Sequence, residues 1–190
     1  MSIYINEKIF DAFPEFKSDR LIFREFNEDD AENLFRIRSQ EAVMRYMDSY
    51  PEPTVKAIKN RIHEMQLQFQ LKIGLNWVIV EKAIDKMIGY FGIWKIDKEN
   101  CRGEIGYALN HDYWGQGYML EAFQTLIPFG FHQMNLHSFE ANVNPKNQNS
   151  KQLLEKVGFK QEAYFRENFL FAGKFLDTVT YSLLERDYKF

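Results

Sequence analysis

The chain has 190 residues, of which 45% are hydrophobic and 16% aromatic, and this composition favours one folded domain over a disordered chain. Its net charge of −3 argues against nucleic-acid binding as the main activity. A single cysteine, Cys101, excludes an intramolecular disulfide, and no apolar run reaches the ~18 residues of a membrane span. We therefore expect a cytoplasmic domain over residues 1–190, with neither nucleic acid nor membrane as a partner.

Strand and helix patterns alternate in the first part of the chain. Residues 20–26 predict a strand, and Asn27 is a good N-cap for the helix that follows. A second, short helix is predicted over 42–47. Thr54 caps a longer helix whose apolar residues are spaced by three or four, and Gly74 ends it.

The period then changes to that of strands. Three strand patterns joined by short polar turns predict an antiparallel meander over residues 77–109. A helix over 117–134 follows, and Pro128 is expected to kink or break it. The remaining elements are a strand at 138–143, a helix at 147–157 and a hairpin with strands 159–171 and 174–184. These patterns predict an α/β (α+β) fold with a mixed, mostly antiparallel central sheet of about seven strands flanked by helices.

The strongest functional motif is Tyr-Trp-Gly-Gln-Gly-Tyr-Met-Leu-Glu at residues 113–121. Two glycines separated by one residue precede a predicted helix, where backbone N–H groups and the helix dipole can bind a phosphate. A Rossmann fingerprint needs a third glycine where this chain has Leu120, and the Gly-Lys-Ser/Thr of a P-loop is absent. The motif therefore favours a phosphate-bearing cofactor that is bound by neither a Rossmann fingerprint nor a P-loop.

Other motifs occur around this turn in a fixed order. They are Ser18-Asp19-Arg20-Leu21, Glu104-Ile105-Gly106-Tyr107, Asn142-Val143-Asn144-Pro145-Lys146-Asn147 with Ser150, and Glu155-Lys156-Val157-Gly158-Phe159. In this order and spacing they resemble the Gcn5-related N-acetyltransferase (GNAT) family, and within it the RimJ/RimL-type branch that acetylates ribosomal-protein N-termini. The resemblance spans roughly residues 18–188.

The resemblance implies acetyl-coenzyme A (acetyl-CoA) as the acetyl donor. It places the pyrophosphate on the turn formed by Gly115, Gln116, Gly117, Tyr118 and Met119, although Met119 departs from the Gly or Ala of the family pattern. It places the pantetheine arm against the backbone of Ala108 and Leu109 and against the side chains of Asn147 and Ser150. The plainer alternatives are a tight turn at the glycines and a simple helix cap at Asn147.

The resemblance also implies the two groups that move protons. Glu104 is the candidate general base, because an ammonium must lose a proton before its nitrogen can attack a thioester. Ser150 is the candidate donor to the leaving thiolate, because residues 148–157 lack the tyrosine that many family members carry there. A salt-bridged edge glutamate and a water molecule are the respective alternatives. Four scattered histidines give no ligand spacing, so no metal is expected.

We expect acetyl transfer from acetyl-CoA to a primary amine, first of all a protein N-terminal α-amine of the ribosomal-protein-alanine type. The alternatives are a small amine or aminoglycoside as acceptor, a non-catalytic CoA-binding regulatory domain, and a plain interaction domain. We expect residues 42–70 and the 164–176 hairpin to line the binding site of the amine acceptor. The protein is expected to be a monomer or a weak homodimer.

Overall fold

A central sheet of eight strands organises the protein, whose residues 4–190 are described by a computed structural model; residues 1–3 of the expected domain lie outside them. The spatial order is β1-β2-β3-β4-β5-β6-β8-β7, and every neighbouring pair is antiparallel except β5 and β6. The strands are β1 (Phe16–Lys17), β2 (Leu21–Glu25), β3 (Leu75–Glu81), β4 (Lys86–Asp97), β5 (Arg102–Leu109), β6 (Ser138–Val143), β7 (Lys160–Phe171) and β8 (Lys174–Leu184). The predicted mixed, mostly antiparallel sheet is confirmed, and the strand added to the expected seven is β1.

Helices cover both faces of the sheet. They are α1 (Ala31–Arg38), α2 (Glu41–Met44), α3 (Val55–Gln70), α4 (Tyr118–His132) and α5 (Gln148–Val157). On one face Leu34 and Ile58 from α1 and α3 are buried against Val78 of β3. On the other, Phe123 of α4 meets the Phe91 ring edge-on, with 5.2 Å between centroids. None of the helices in the described part of the chain has the length and apolar character needed to cross a membrane.

The N-terminal segment is part of the core. Phe10 is buried in the same cluster as β3, and the Phe13 ring lies 5.7 Å from the indole of Trp77. The Trp77 indole N–H donates to the Pro14 carbonyl at 2.7 Å. The packed unit therefore extends N-terminally beyond residue 18, where the sequence motifs begin.

Pro128 does not interrupt α4, which runs from Tyr118 to His132, so the expected break does not occur. A proline leaves the carbonyl four residues earlier without its helical donor, here the carbonyl of Gln124. Gln124 is exposed, so that carbonyl can be hydrated, while Leu126 and Ile127 are fully buried and keep the helix on the sheet.

A buried ion pair fastens the segment between α2 and α3. Arg38 Nε lies 2.6 Å from Glu52 Oε2, and both side chains are nearly buried. Arg61 pairs with the other Glu52 oxygen, and Arg38 also donates to the Tyr90 hydroxyl at 3.1 Å. Burial alone would raise the pKa of Glu52, but its hydrogen bonds and charge interactions with the two arginines hold that pKa below its ordinary value.

Glu52→Ala is therefore expected to lower the free energy of unfolding by about 3 kcal/mol, because it leaves the buried Arg38 guanidinium without its counter-charge. Urea unfolding of the variant and the wild type measures the difference. The control is Glu41→Ala, which removes the exposed pair with Arg45 and should change stability little. Equal effects of the two substitutions would contradict the importance of the buried pair.

Candidate active site

The sheet opens between β5 and β6. These parallel strands pair only where Arg102–Glu104 face Ser138–Glu140, after which β5 continues along β4 and β6 along β8. A cavity of about 750 Å³ occupies the opening. It is bordered by β5, the glycine turn, the start of α5 and the segment around α2. Every predicted site residue borders it except Gln116, which is exposed on the outside of the turn.

Backbone groups of β5 face this gap at alternate residues. The Asn110 N–H donates to the Ile88 carbonyl of β4 at 2.8 Å. Because successive residues of a strand direct their backbone groups to opposite edges, Tyr107 and Leu109 direct theirs towards the gap. Ala108 borders the cavity, but its backbone groups face β4, so the groups that face the gap on this strand are those of Tyr107 and Leu109 and not of Ala108.

The glycine turn adopts a backbone that favours glycine. Gly115 has φ of 73° and Gly117 has φ of 80°, both in the left-handed region. A Cβ at Gly115 would meet nothing within 4 Å. Glycine is therefore favoured at this position by the left-handed backbone and not by a lack of space for a side chain. Gly117 is the N-cap of α4 and offers no side chain to the first-turn N–H groups, which leaves them available to an anion.

The side chain of Met119 points into the core, which explains why a residue larger than Gly or Ala fits at this position of the turn. Its side chain is 9% exposed and belongs to the main core cluster, beside residues of β4 and β5. The apolar side chain thus anchors the first turn of α4, while its backbone N–H stays in the helix N-terminus. The departure from the family's small residue is compatible with the turn.

Arg20 ties the glycine turn to β2, a role that sequence reasoning missed. Its guanidinium donates to the Gln116 carbonyl at 3.0 Å, pairs with Glu121 at 2.7 Å and lies 4.2 Å from the centre of the Tyr118 ring. Glu121 also accepts from the Ser18 hydroxyl at 2.7 Å. The signal was present in the Ser-Asp-Arg-Leu motif, but the partner lies about a hundred residues further along the chain.

Glu104 borders the cavity on the α1 and α3 side of the sheet. Its carboxylate is 15% exposed and lies 2.7 Å from Lys95 Nζ, so the ion pair considered as an alternative is present. Lys95 is 72% exposed and therefore contributes a solvent-screened charge. The Trp94 ring lies across Gly106, and a Cβ on Gly106 would come within 1.8 Å of that ring. The Trp94 ring also forms part of the cavity wall.

Ser150 borders the cavity on the opposite side of the sheet. Its Oγ lies 2.7 Å from the hydroxyl of Tyr107, and its N–H donates to Asn147 Oδ1 at 3.1 Å. Asn147 is thus the N-cap of α5, so the helix cap that the sequence analysis gave as the alternative role of this residue is present. The Tyr107 ring packs edge-on against Phe123, and burial raises the pKa of its hydroxyl. Sequence reasoning quoted Tyr107 in a motif without assigning it a role.

Helix α2 and the residues just after it border the cavity from the other end. Ala42, Tyr46 and Met47 contribute to it, whereas the 164–176 hairpin does not. The Asp48 carboxylate accepts hydrogen bonds from Asn144 Nδ2 at 3.1 and 3.2 Å, and burial raises its pKa. Within residues 4–190, no group of three acidic, histidine or cysteine side chains is arranged to hold a metal ion.

Comparison with known proteins identifies the class of enzyme that this fold and cavity define. The family model described as "Acetyltransferase (GNAT) domain" matches residues 20–160, and the chain belongs to this family. It is an acetyl-CoA-dependent N-acetyltransferase, which confirms the expected family and reaction class.

Individual relatives match along most of the chain. The uncharacterized N-acetyltransferase p20 of Bacillus licheniformis is 35% identical, over 90% of this chain and 96% of its own length. The [ribosomal protein uS5]-alanine N-acetyltransferase of Escherichia coli is 25% identical, over 90% and 91%. A solved acetyltransferase (GNAT family) from Bacillus anthracis superposes with a TM-score of 0.81 at 26% identity, over 91% of this chain and 99% of that one.

Proposed function

We propose that the protein, acting as one domain, transfers the acetyl group of acetyl-CoA to the α-amine of a protein N-terminus of the ribosomal-protein-alanine type. The observation that carries the proposal is the cavity in the open sheet, with the Glu104 carboxylate on one side and the Ser150 hydroxyl on the other. Donor and acceptor can then approach one carbon from opposite faces of the sheet.

The coenzyme is held mainly by backbone groups in this proposal. N–H groups of the turn from Gly115 to Met119 bind the pyrophosphate, assisted by the positive end of the α4 dipole. The pantetheine arm lies in the gap against β5, with Asn147 and Ser150 on its other side. The N–H of Leu109 faces the gap and is placed to polarise the thioester carbonyl.

The chemistry needs one base at the acceptor side. Glu104 accepts a proton from the incoming ammonium, directly or through one water, and the neutral nitrogen attacks the thioester carbonyl. Lys95 Nζ lies 2.7 Å from this carboxylate and stays largely exposed, so it can move aside when the acceptor enters. Collapse of the tetrahedral intermediate releases the coenzyme A thiolate on the side of Ser150.

The acceptor assignment is supported by the relative that acetylates the alanine of ribosomal protein uS5, which matches 90% of this chain. A small polycationic amine, such as an aminoglycoside, is the second candidate. It is favoured by Asp48, a half-buried carboxylate that makes no ion pair within residues 4–190 and accepts hydrogen bonds from Asn144, which borders the cavity.

An acceptor panel distinguishes these substrates. Peptides beginning with Ala or Ser, the same peptides blocked at the α-amine, an aminoglycoside and a polyamine are each incubated with acetyl-CoA, and products are measured by mass spectrometry. The proposal expects acetylation at the α-amine of the free peptides only. Rapid acetylation of the small amines alone would contradict a protein N-terminus as the acceptor and would support a small polycationic amine.

A further inference from the structure

Tyr107 and Ser150 form a pair of hydroxyls on the α4 and α5 side of the gap. Their oxygens are 2.7 Å apart and both residues border the cavity. We propose that Tyr107 is a positioning residue that donates to Ser150 Oγ and thereby directs the Ser150 O–H at the sulfur of the departing coenzyme A. The pair stabilises the thiolate by hydrogen bonding without giving up a proton. This inference rests on the proposed function.

The distance between the two oxygens allows either hydroxyl to donate, and we assign Tyr107 as the donor on the acidity of the two groups. A phenol, with an ordinary pKa of about 10, is a better donor than an aliphatic alcohol. A serine oxygen can accept from Tyr107 and still donate its own proton to sulfur. The hydrogen bond from the Ser150 N–H to Asn147 fixes the first turn of α5, and with it the position of Oγ.

The surroundings of Tyr107 disfavour its ionised form. Its ring stacks on Phe91 at 6.1 Å and meets Phe123 edge-on at 5.0 Å, so a phenolate would form beside apolar rings with Ser150 as its one hydrogen-bond partner within residues 4–190. Burial correspondingly raises the pKa of the Tyr107 hydroxyl. A thiol has an ordinary pKa of about 8.5, so its thiolate does not take a proton from either hydroxyl at equilibrium. Two aligned O–H groups can nevertheless stabilise the charge that develops on sulfur.

The step balances without a further reactant. The amine nitrogen forms a bond to the carbonyl carbon, and the carbon–sulfur bond breaks with its electron pair going to sulfur. The proton lost by nitrogen goes to Glu104 on the opposite face, and the thiolate is protonated by solvent after release. Both hydroxyls, of Tyr107 and of Ser150, keep their protons through the whole cycle.

The thiol pKa of bound coenzyme A tests the pair without any acceptor. Thiolate absorbance is followed against pH as a difference from the complex with desulfo-coenzyme A. In the wild type the bound thiol should titrate roughly one pKa unit below free coenzyme A, because a hydrogen bond favours the anion. Ser150→Ala should restore the free value and Tyr107→Phe should restore part of it. Tyr188→Phe is the control, since it removes a buried hydroxyl that has no hydrogen-bond partner among residues 4–190.

Turnover provides the second measurement. Ser150→Ala should lower kcat by ~10–100-fold, and Tyr107→Phe by about tenfold, with the KM for acetyl-CoA within about twofold. The double variant should be no slower than Ser150→Ala, because Tyr107 acts through Ser150. Multiplicative losses, or a wild-type thiol pKa in the Tyr107→Phe complex, would overturn the proposal. A lowered thiol pKa without acetylation of any amine would refute the proposed function and leave the thiolate pair standing.

Discussion

Glu104→Gln is expected to lower kcat by ~100-fold or more, while acetyl-CoA binding stays within about twofold of the wild type. The amide keeps the size and shape of the side chain but cannot accept the proton of the incoming ammonium. The lost ion pair costs little stability, since Lys95 is largely exposed. Steady-state kinetics with a saturating peptide acceptor and calorimetric titration with acetyl-CoA measure the two quantities.

The matched control for this substitution is Glu140→Gln. Glu140 lies opposite Glu104 in the β5–β6 register and is likewise ion-paired, with Arg102 at 2.9 Å, but it does not border the cavity. Its replacement should leave kcat near the wild-type value. Full activity of the Glu104→Gln enzyme would remove this carboxylate from the mechanism.

Gly117→Val is expected to weaken coenzyme A binding by ~100-fold or more, because two effects act together. A β-branched residue resists the left-handed backbone, at a cost of about 1–3 kcal/mol, and the turn rearranges. Its side chain would also stand where the pyrophosphate must approach the first-turn N–H groups of α4. Calorimetric titration with coenzyme A measures the loss directly.

Gly173→Val separates the binding effect from simple strain. Gly173 has φ of 75° and, like Gly115, has nothing within 4 Å of an added Cβ, but it lies in the β7–β8 hairpin turn away from the cavity. It should show a comparable loss of stability with unchanged coenzyme A affinity. Equal affinities for the Gly117 and Gly173 variants would contradict the assignment of the turn.

The parts of the fold that could be predicted from the sequence are those governed by local pattern. Apolar spacing identified α3, and the buried runs with short polar turns identified the β3–β5 meander. The glycine turn was also local, because two glycines between a strand and a helix specify a left-handed turn and a free helix N-terminus. The order of the motifs indicated the GNAT family, which the family model over residues 20–160 confirms.

The parts that escaped prediction depend on residues far apart in the chain. The contact of Tyr107 with Ser150 joins β5 to α5, and that of Arg20 with Glu121 joins β2 to α4. Neither follows from periodicity, since each requires the positions of two elements in space. Pro128 is a different case, because local propensity predicted a kink or a break, and the break does not occur where burial of the neighbouring Leu126 and Ile127 stabilises the helix.

The central claim is that the cavity in the open sheet brings acetyl-CoA and an amine together for direct transfer. Its most direct test is a single reaction of enzyme, acetyl-CoA and an N-terminal Ala peptide, in which free coenzyme A thiol and acetylated peptide are quantified side by side. The wild-type enzyme should give equal amounts of the two products, and the Glu104→Gln enzyme should lose both together. Binding of acetyl-CoA with no thiol release on any amine of the panel would contradict it.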